Sequence, residues 1–216
     1  MKWIRYYREK NIYYGIADLQ NQSVTEVTGN PFEEYEHKKT VPFSDIKLLT
    51  PFEPKTFYAA GTNYEEHIRK VAELIGEQPN IPEKADIGYR ANNALIAHDE
   101  TIIIPKDATE KVQYEAELVV VIGKKAFQVK ESDSLQYVFG YTIGNDVSER
   151  SWQKLDRTLW RAKNSDTFKP MGPWIETEAN LDDMITSVHL NGEKTIEFKT
   201  NEMIFGVEKY IHEITK

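Results

Sequence analysis

Tyr114-Glu115-Ala116-Glu117-Leu118-Val119-Val120-Val121-Ile122-Gly123 begins polar and ends on five successive apolar residues before a glycine. The β-branched content of that run, and the glycine that stops it, mark a strand. Strand alternation sets Glu115 and Glu117 on one face, with Cα atoms about 6.6–6.8 Å apart. Two carboxylates this close at the mouth of a core strand repel each other and lose hydration; a cation between them removes that penalty. The pair also reads as the solvated edge of a strand with its glutamates turned to water.

Downstream, Val138 to Ile143 is a second strand, leading into Gly144-Asn145-Asp146-Val147-Ser148, where strand turns into helix. Asp146 is a suitable N-cap there. As a third carboxylate at the end of a neighbouring strand, it would instead complete an all-oxygen site of the kind that suits Mg²⁺ or Mn²⁺ ahead of Ca²⁺. Zinc is disfavoured, because the five histidines lack paired ligand spacing and there is no cysteine.

The remaining chain reads as strands with a few helices. Trp3 to Tyr7, Ile12 to Ile16 and Val24 to Val27 are short strands between polar turns, and the Pro51-Phe52-Glu53-Pro54 stretch separates this small β-rich region, residues 1–52, from a main body over 53–216. Thr56 to Ala60 is a strand. A helix capped by Asn63 and closed by Gly76 is expected next, with Ile68, Val71, Ala72 and Ile75 at helical spacing. Ala94 to Ala97 and Thr101 to Ile104 read as strands. Trp152, Leu155 and Leu159 fit one face of a single helix between Val147 and about Trp160. Strands are expected at Trp174 to Thr177 and Ser187 to Leu190, the latter running into an Asn191-Gly192 hairpin turn. A last helix is expected over 202–215. The fold class is α+β and β-rich.

Composition bounds the function. A hydrophobic fraction of 40% with 12% aromatics supports a packed core, and 35 acidic against 27 basic residues, without a basic block, exclude a nucleic-acid partner. The longest apolar run is far short of a membrane helix, and Met1-Lys2-Trp3-Ile4-Arg5 does not open a secretory signal, so a cytoplasmic protein is expected. Four further side chains could carry chemistry. His67, about one turn into its helix, would be kept neutral by the helix dipole and could take a proton; it also reads as a half-buried histidine beside Val71 and Leu74. Lys163 could stabilise developing negative charge near a metal or cap a helix end in water. Arg150 and Gln153, three apart on one helix side, could bind a carboxylate or be solvated. Lys70 reads as the i,i+4 salt-bridge partner of Glu66.

Five ordered blocks resemble the fumarylacetoacetate hydrolase superfamily. They are Gly61-Thr62-Asn63-Tyr64-Glu65-Glu66-His67, the Tyr114–Gly123 strand, Gly140 through Arg150, Lys163 through Pro173, and Asn191-Gly192 followed by Thr200, Met203, Ile204 and Phe205. The resemblance implies a mixed β-sandwich roll, a homodimer, and Mg²⁺ or Mn²⁺ bound by Glu115, Glu117 and Asp146 with Lys163 beside it. It implies Arg150 and Gln153 in the substrate pocket, and substrates that are 2-oxo or enol acids, often from aromatic catabolism, chelated to a metal that stabilises an enolate. Hydroxymuconate-type isomerase or decarboxylase is the expected activity. Acylpyruvate-type C–C hydrolase is the alternative, and a silent metal- or anion-binding homologue a third.

Departures from the pattern guide that order. Several hydrolytic members carry a glutamate three residues after the signature histidine, and here that position is Lys70, which cannot orient water with His67. The family's FxK reads Tyr89-Arg90, placing Arg90 among the substrate-binding candidates. The glutamine after NGx is shifted to Ile196. Family chains continue beyond the segment that ends here at Lys216, so the expectation is a longer protein of which this is part.

Overall fold

In a computed structural model, which describes residues 1–109 and 111–216, the strands in chain order are β1 (Lys2–Arg8), β2 (Asn11–Asp18), β3 (Ser23–Val27), β4 (His37–Pro42), β5 (Lys47–Leu48), β6 (Tyr58–Ala60), β7 (Ile87–Tyr89), β8 (Leu95–Ile96), β9 (Val112–Gln113), β10 (Ala116–Ile122), β11 (Val138–Asn145), β12 (Ser148–Glu149), β13 (Lys169–Glu176), β14 (Ile185–Leu190) and β15 (Glu193–Lys199). The α-helices are α1 (Glu65–Ile75), α2 (Arg150–Gln153), α3 (Trp160–Asn164) and α4 (Val207–Ile214). The chain divides into two compact units, one of residues 1–57, 90–123 and 139–179, the other of residues 58–89, 124–138 and 180–216.

The first unit is built on one sheet in the order β10-β11-β13-β1-β2-β3-β4, with β5 added to β1 and β8 to β13. The β8–β13 pairing is parallel and β1 pairs antiparallel with β2, β5 and β13, so the sheet is mixed. The first strand of the chain lies inside the sheet because it is apolar on both sides. Neighbouring residues Trp3 and Ile4 point to opposite faces and enter different cores. Trp3 packs with Val27, Val121 and Ile175; Ile4 packs with Tyr6, Ala17, Val24 and Val41. Glu176, beside Lys2 in the β1–β13 register, accepts from Lys2 Nζ at 2.7 Å and from the N-terminal amine at 3.1 Å.

Strands β10 and β11 bring the carboxylates of the first unit together, and Gly144 makes that approach possible. A Cβ there would lie 2.8 Å from Val119 Cγ2, closer than carbon atoms pack, and 3.7 Å from Glu117 Cβ. On β10, Val121 is buried while Ile122 is half-exposed, as expected for a strand packed on one face.

In the second unit β6 and β7 pair antiparallel, β14 and β15 form a hairpin, and α4, whose Val207 and Ile211 are buried, packs on a 3₁₀ turn at Glu131–Tyr137. Asn191 and Gly192 turn the hairpin with φ of 53° and 88°, the geometry an Asn-Gly turn favours. Helix α1 ends at Gly76 in the left-handed conformation, as its sequence predicts.

Four local expectations are corrected. Asn63 does not cap α1, whose N-cap is Tyr64. Its buried amide instead donates to Phe205 O and accepts from Phe205 N, both at 2.9 Å, pinning two distant loops. The single helix expected from Val147 to Trp160 is two short ones, α2 and α3. Asp156 interrupts it by accepting from the backbone N–H groups of Thr158, Arg161 and Ala162, and Leu155 is left 90% exposed. Thr101 to Ile104 is not a strand; Ile103 instead donates its N–H to Thr167 Oγ1. The last helix begins at Val207, after a 3₁₀ turn at Thr200–Glu202. Among the described residues, no helix is long and apolar enough to cross a membrane.

Candidate metal centre

The site grows from the junction of β10 and β11 in the first unit. Asp146 N donates to Glu115 O at 2.9 Å and Glu115 N donates to Asn145 Oδ1 at 3.0 Å, so the backbones bearing two of the carboxylates are fastened to each other. Glu117 follows on the same face of β10. One carboxylate oxygen from each of Glu115, Glu117 and Asp146 lies within 4.8 Å of the others.

Four cations surround this acidic group. Lys163, only 5% exposed on α3, reaches Glu115 Oε2 at 2.6 Å and Asp146 Oδ2 at 2.7 Å. Asn164, next on α3, accepts the N–H of Ala91 at 2.7 Å and so ties this helix to the segment carrying Arg90. Arg90 grips Asp146 with both arms of its guanidinium, Nε to Oδ1 at 2.8 Å and Nη2 to Oδ2 at 2.7 Å. Lys169, 3% exposed at the start of β13, lies 2.9 Å from Asp146 Oδ1 and donates to Val147 O at 3.0 Å and Phe168 O at 2.9 Å. Arg150 lies 2.6 Å from Glu115 Oε1, donates to Gln153 Oε1 at 2.9 Å and to Gln113 Oε1 at 2.8 Å. Buried Glu149 caps the helix that carries Arg150 and Gln153, accepting from Trp152 N and Thr109 Oγ1.

These contacts divide the carboxylates. Burial opposes ionisation of Asp146, but the hydrogen bonds from Arg90 and the charges of Lys169 and Lys163 override it and hold its carboxyl well below the usual range. Glu117 goes the other way. Lost hydration, then the charges of Asp146 and Glu115, push it up to about 8. Glu117 is an exposed residue, so water screens part of this effect, but its carboxyl faces two anions and receives no hydrogen bond or ion pair from any described residue. Burial brings the Lys169 ammonium down to about 8 against the pull of Asp146.

Glu115, Glu117, Asp146, Lys163, Arg150, Gln153 and Arg90, all named from sequence, thus fall into one network. His67 stands exposed on α1 of the second unit. On the same helix Lys70 pairs with Glu66 at 2.6 Å, as its spacing predicts. Lys169 was not foreseen. The signal was there, in a lone charge between Phe168 and Pro170 at the head of a core strand, but only the contact with Asp146 gives it meaning.

The donor set fits a hard divalent cation. It is all oxygen, its atoms are close enough to share one ion, and Glu117, unlike its two partners, makes no ion pair with a described residue.

Residues 56–216 match a family profile described as fumarylacetoacetate (FAA) hydrolase C-terminal, and residues 1–51 one described as Rv2993c-like, N-terminal. The chain is 37% identical over 193 residues to a fumarylacetoacetate hydrolase domain-containing protein 2 homolog of Dictyostelium discoideum, covering 83% of this chain and 61% of that protein. It is 32% identical over 176 residues to the mitochondrial oxaloacetate tautomerase Fahd2a of Rattus norvegicus, covering 79% of this chain and 54% of that one. It therefore spans less than two thirds of either relative. A solved structure of 5-carboxymethyl-2-hydroxymuconate delta-isomerase from Mycobacterium smegmatis superposes with a TM-score of 0.88 at 28% identity, covering all of this chain and 82% of that one.

Proposed function

Because the chain belongs to the fumarylacetoacetate hydrolase family, we propose that it is a divalent-metal-dependent enzyme that moves protons on a 2-oxo or 2-hydroxy-enoate dicarboxylic acid, as an isomerase, tautomerase or decarboxylase. The observation that carries this reading is the three-carboxylate cluster held within 4.8 Å beside Lys163. Relatives that are an oxaloacetate tautomerase and a hydroxymuconate isomerase support the substrate class.

Glu115, Glu117 and Asp146 would hold Mg²⁺ or Mn²⁺. When bound, the ion supplies Lewis acidity toward a 2-oxo oxygen and its neighbouring carboxylate. Lys163 Nζ, fixed by two of the ligands, is the group that meets negative charge developing on the substrate oxygen. Arg150, braced by Gln153 and Gln113, and Arg90 present planar forks suited to a carboxylate. His67 is the proposed proton carrier, and a homodimer the proposed assembly. Among the described residues, four cations stand against three carboxylates, and a dianionic substrate answers that excess of positive charge. Hydrolysis is the less favoured reading, since the residue three after His67 is Lys70, an ammonium that cannot accept a proton from water.

The test is a turnover screen with and without Mn²⁺, using oxaloacetate enol–keto exchange, dienoate isomerisation and acylpyruvate cleavage. The expected result is metal-dependent proton transfer that Glu117→Gln lowers by at least about a hundredfold. Acylpyruvate cleavage without any isomerisation would refute the class, and full turnover by Glu117→Gln would refute the site.

A further inference from the structure

We propose that Glu149 is a positioning residue for anion binding: by clamping the supports of Arg150, it holds that guanidinium where a substrate carboxylate meets it. This rests on the reading of Arg150 as a carboxylate-binding group and goes beyond it by naming what fixes the group in place.

Arg150 needs an external mount. Its helix, α2, is four residues long, and a single helical turn does not hold itself together in water. Two supports supply the order. One is the segment leading into β10. Arg150 N donates to Lys111 O at 2.9 Å, β9 pairs with β12 so that Gln113 lies opposite Ser148, and Arg150 Nε reaches Gln113 Oε1 at 2.8 Å. The other is α2 itself. Arg150 Nη1 donates to Gln153 Oε1 at 2.9 Å, a contact that lasts only while the turn keeps residues three apart on one side.

Glu149 joins the two supports. Its side chain is fully buried, and a neutral donor meets each oxygen: the Thr109 hydroxyl on Oε1 and the Trp152 N–H on Oε2. No cation among the described residues pairs with it. A buried carboxylate is tolerated only where its oxygens are satisfied, so these two contacts are what the side chain contributes. The Trp152 contact caps α2 and so keeps Gln153 over Arg150. The Thr109 contact ties that cap to the segment that supplies Lys111 and Gln113. Without Glu149 both supports loosen, and Arg150 gains rotamers that it must give up again to bind an anion.

The experiment is calorimetric titration of Mn²⁺, and then of oxalate into the Mn²⁺-saturated chain. The proteins are wild type, Glu149→Ala, Glu149→Gln, Thr109→Val, and Arg150→Met alone and combined with Glu149→Ala. Circular dichroism and Tm establish which variants are folded. Arg150→Met should weaken oxalate binding at least about tenfold and Glu149→Ala about fivefold. Combined, they should cost no more than Arg150→Met alone, because Glu149 acts through Arg150. Glu149→Gln should stay within about twofold of wild type, since its Oε1 accepts from Trp152 N while the Thr109 hydroxyl turns to accept from the amide. Mn²⁺ alone should bind no more weakly in any variant, because Glu115, Glu117 and Asp146 are untouched.

Wild-type oxalate affinity in folded Glu149→Ala overturns the proposal, as do losses that add in the combined variant. So does Mn²⁺ binding that weakens in step with oxalate, the mark of general support for the fold. If Glu149→Ala does not fold, Thr109→Val decides in its place, since it removes one donor at an exposed residue. Oxalate bound about threefold more weakly there supports the proposal, and unchanged affinity overturns it. A wild type that binds no oxalate at all would sink the site reading itself, a failure distinct from that of Glu149.

Discussion

Glu117 is the residue whose protonation reports most directly on the site. Lost hydration and the charges of Asp146 and Glu115 push its carboxyl up to about 8, against an ordinary value of 4.5. Without metal, the folded chain therefore holds a proton that the unfolded chain has released. Its contribution to stability is complete below about pH 4.5 and is lost as pH rises through 8. A cation ligated by Glu117 must displace that proton. Below pH 8, Mn²⁺ affinity should climb with pH by up to about tenfold per unit and level off above it. Titrations in buffers of differing ionisation enthalpy measure the proton released, and Glu117→Gln should abolish the release together with most of the affinity. No proton released at pH 6.5 in the wild type would contradict this account of Glu117.

The elements supply close approach and a clasp. At Gly144, alanine would press its Cβ to 2.8 Å from Val119 Cγ2, so β10 and β11 would have to part. Gly144→Ala should cost about 1–3 kcal/mol in urea unfolding and weaken Mn²⁺ binding in the same variant. Where β1 meets β13, burial works against Glu176, but Lys2, the Glu178 N–H and the N-terminal amine hold its carboxyl down at about 2. A depressed carboxylate stabilises above its unfolded value of 4.5, and that contribution is lost as pH falls toward 2. Glu176→Gln should thus cost on the order of 1 kcal/mol at pH 7, discounted for partial exposure, and nothing at pH 2, with an equal loss at both pH values as the contrary outcome.

Elements set by local chemistry were legible in the sequence: β10 from its apolar run, the β14–β15 turn from Asn191-Gly192, the end of α1 from Gly76. Those decided by side-chain competition were not. Trp152, Leu155 and Leu159 kept helical spacing, but the Asp156 carboxylate took the N–H groups a continuous helix needs. Apolar Thr101 to Ile104 read as a strand, yet it pairs with no strand among the described residues and Ile103 is mostly exposed. The three carboxylates and Lys163 could be named from residue type and motif. Lys169 could not, because its role exists only through a contact with Asp146.

At the scale of the whole molecule, the formal charge of −8 conceals a local excess of cations, among the described residues, around three carboxylates. That local field, rather than the net charge, is what an anionic substrate meets at close range. If these groups form an assembled site for a divalent ion and a 2-oxo-acid anion, the two ligands together stabilise the fold. Thermal unfolding with Mn²⁺, with oxalate, and with both tests it most directly. A ligand at 100 times its Kd adds about 2.7 kcal/mol, or roughly 5–10 °C for a chain of this size. Tm should rise by that order with Mn²⁺ and oxalate together, rise little with oxalate alone, and stay put in Glu117→Gln. A folded wild-type chain whose Tm does not move with both ligands present would contradict it.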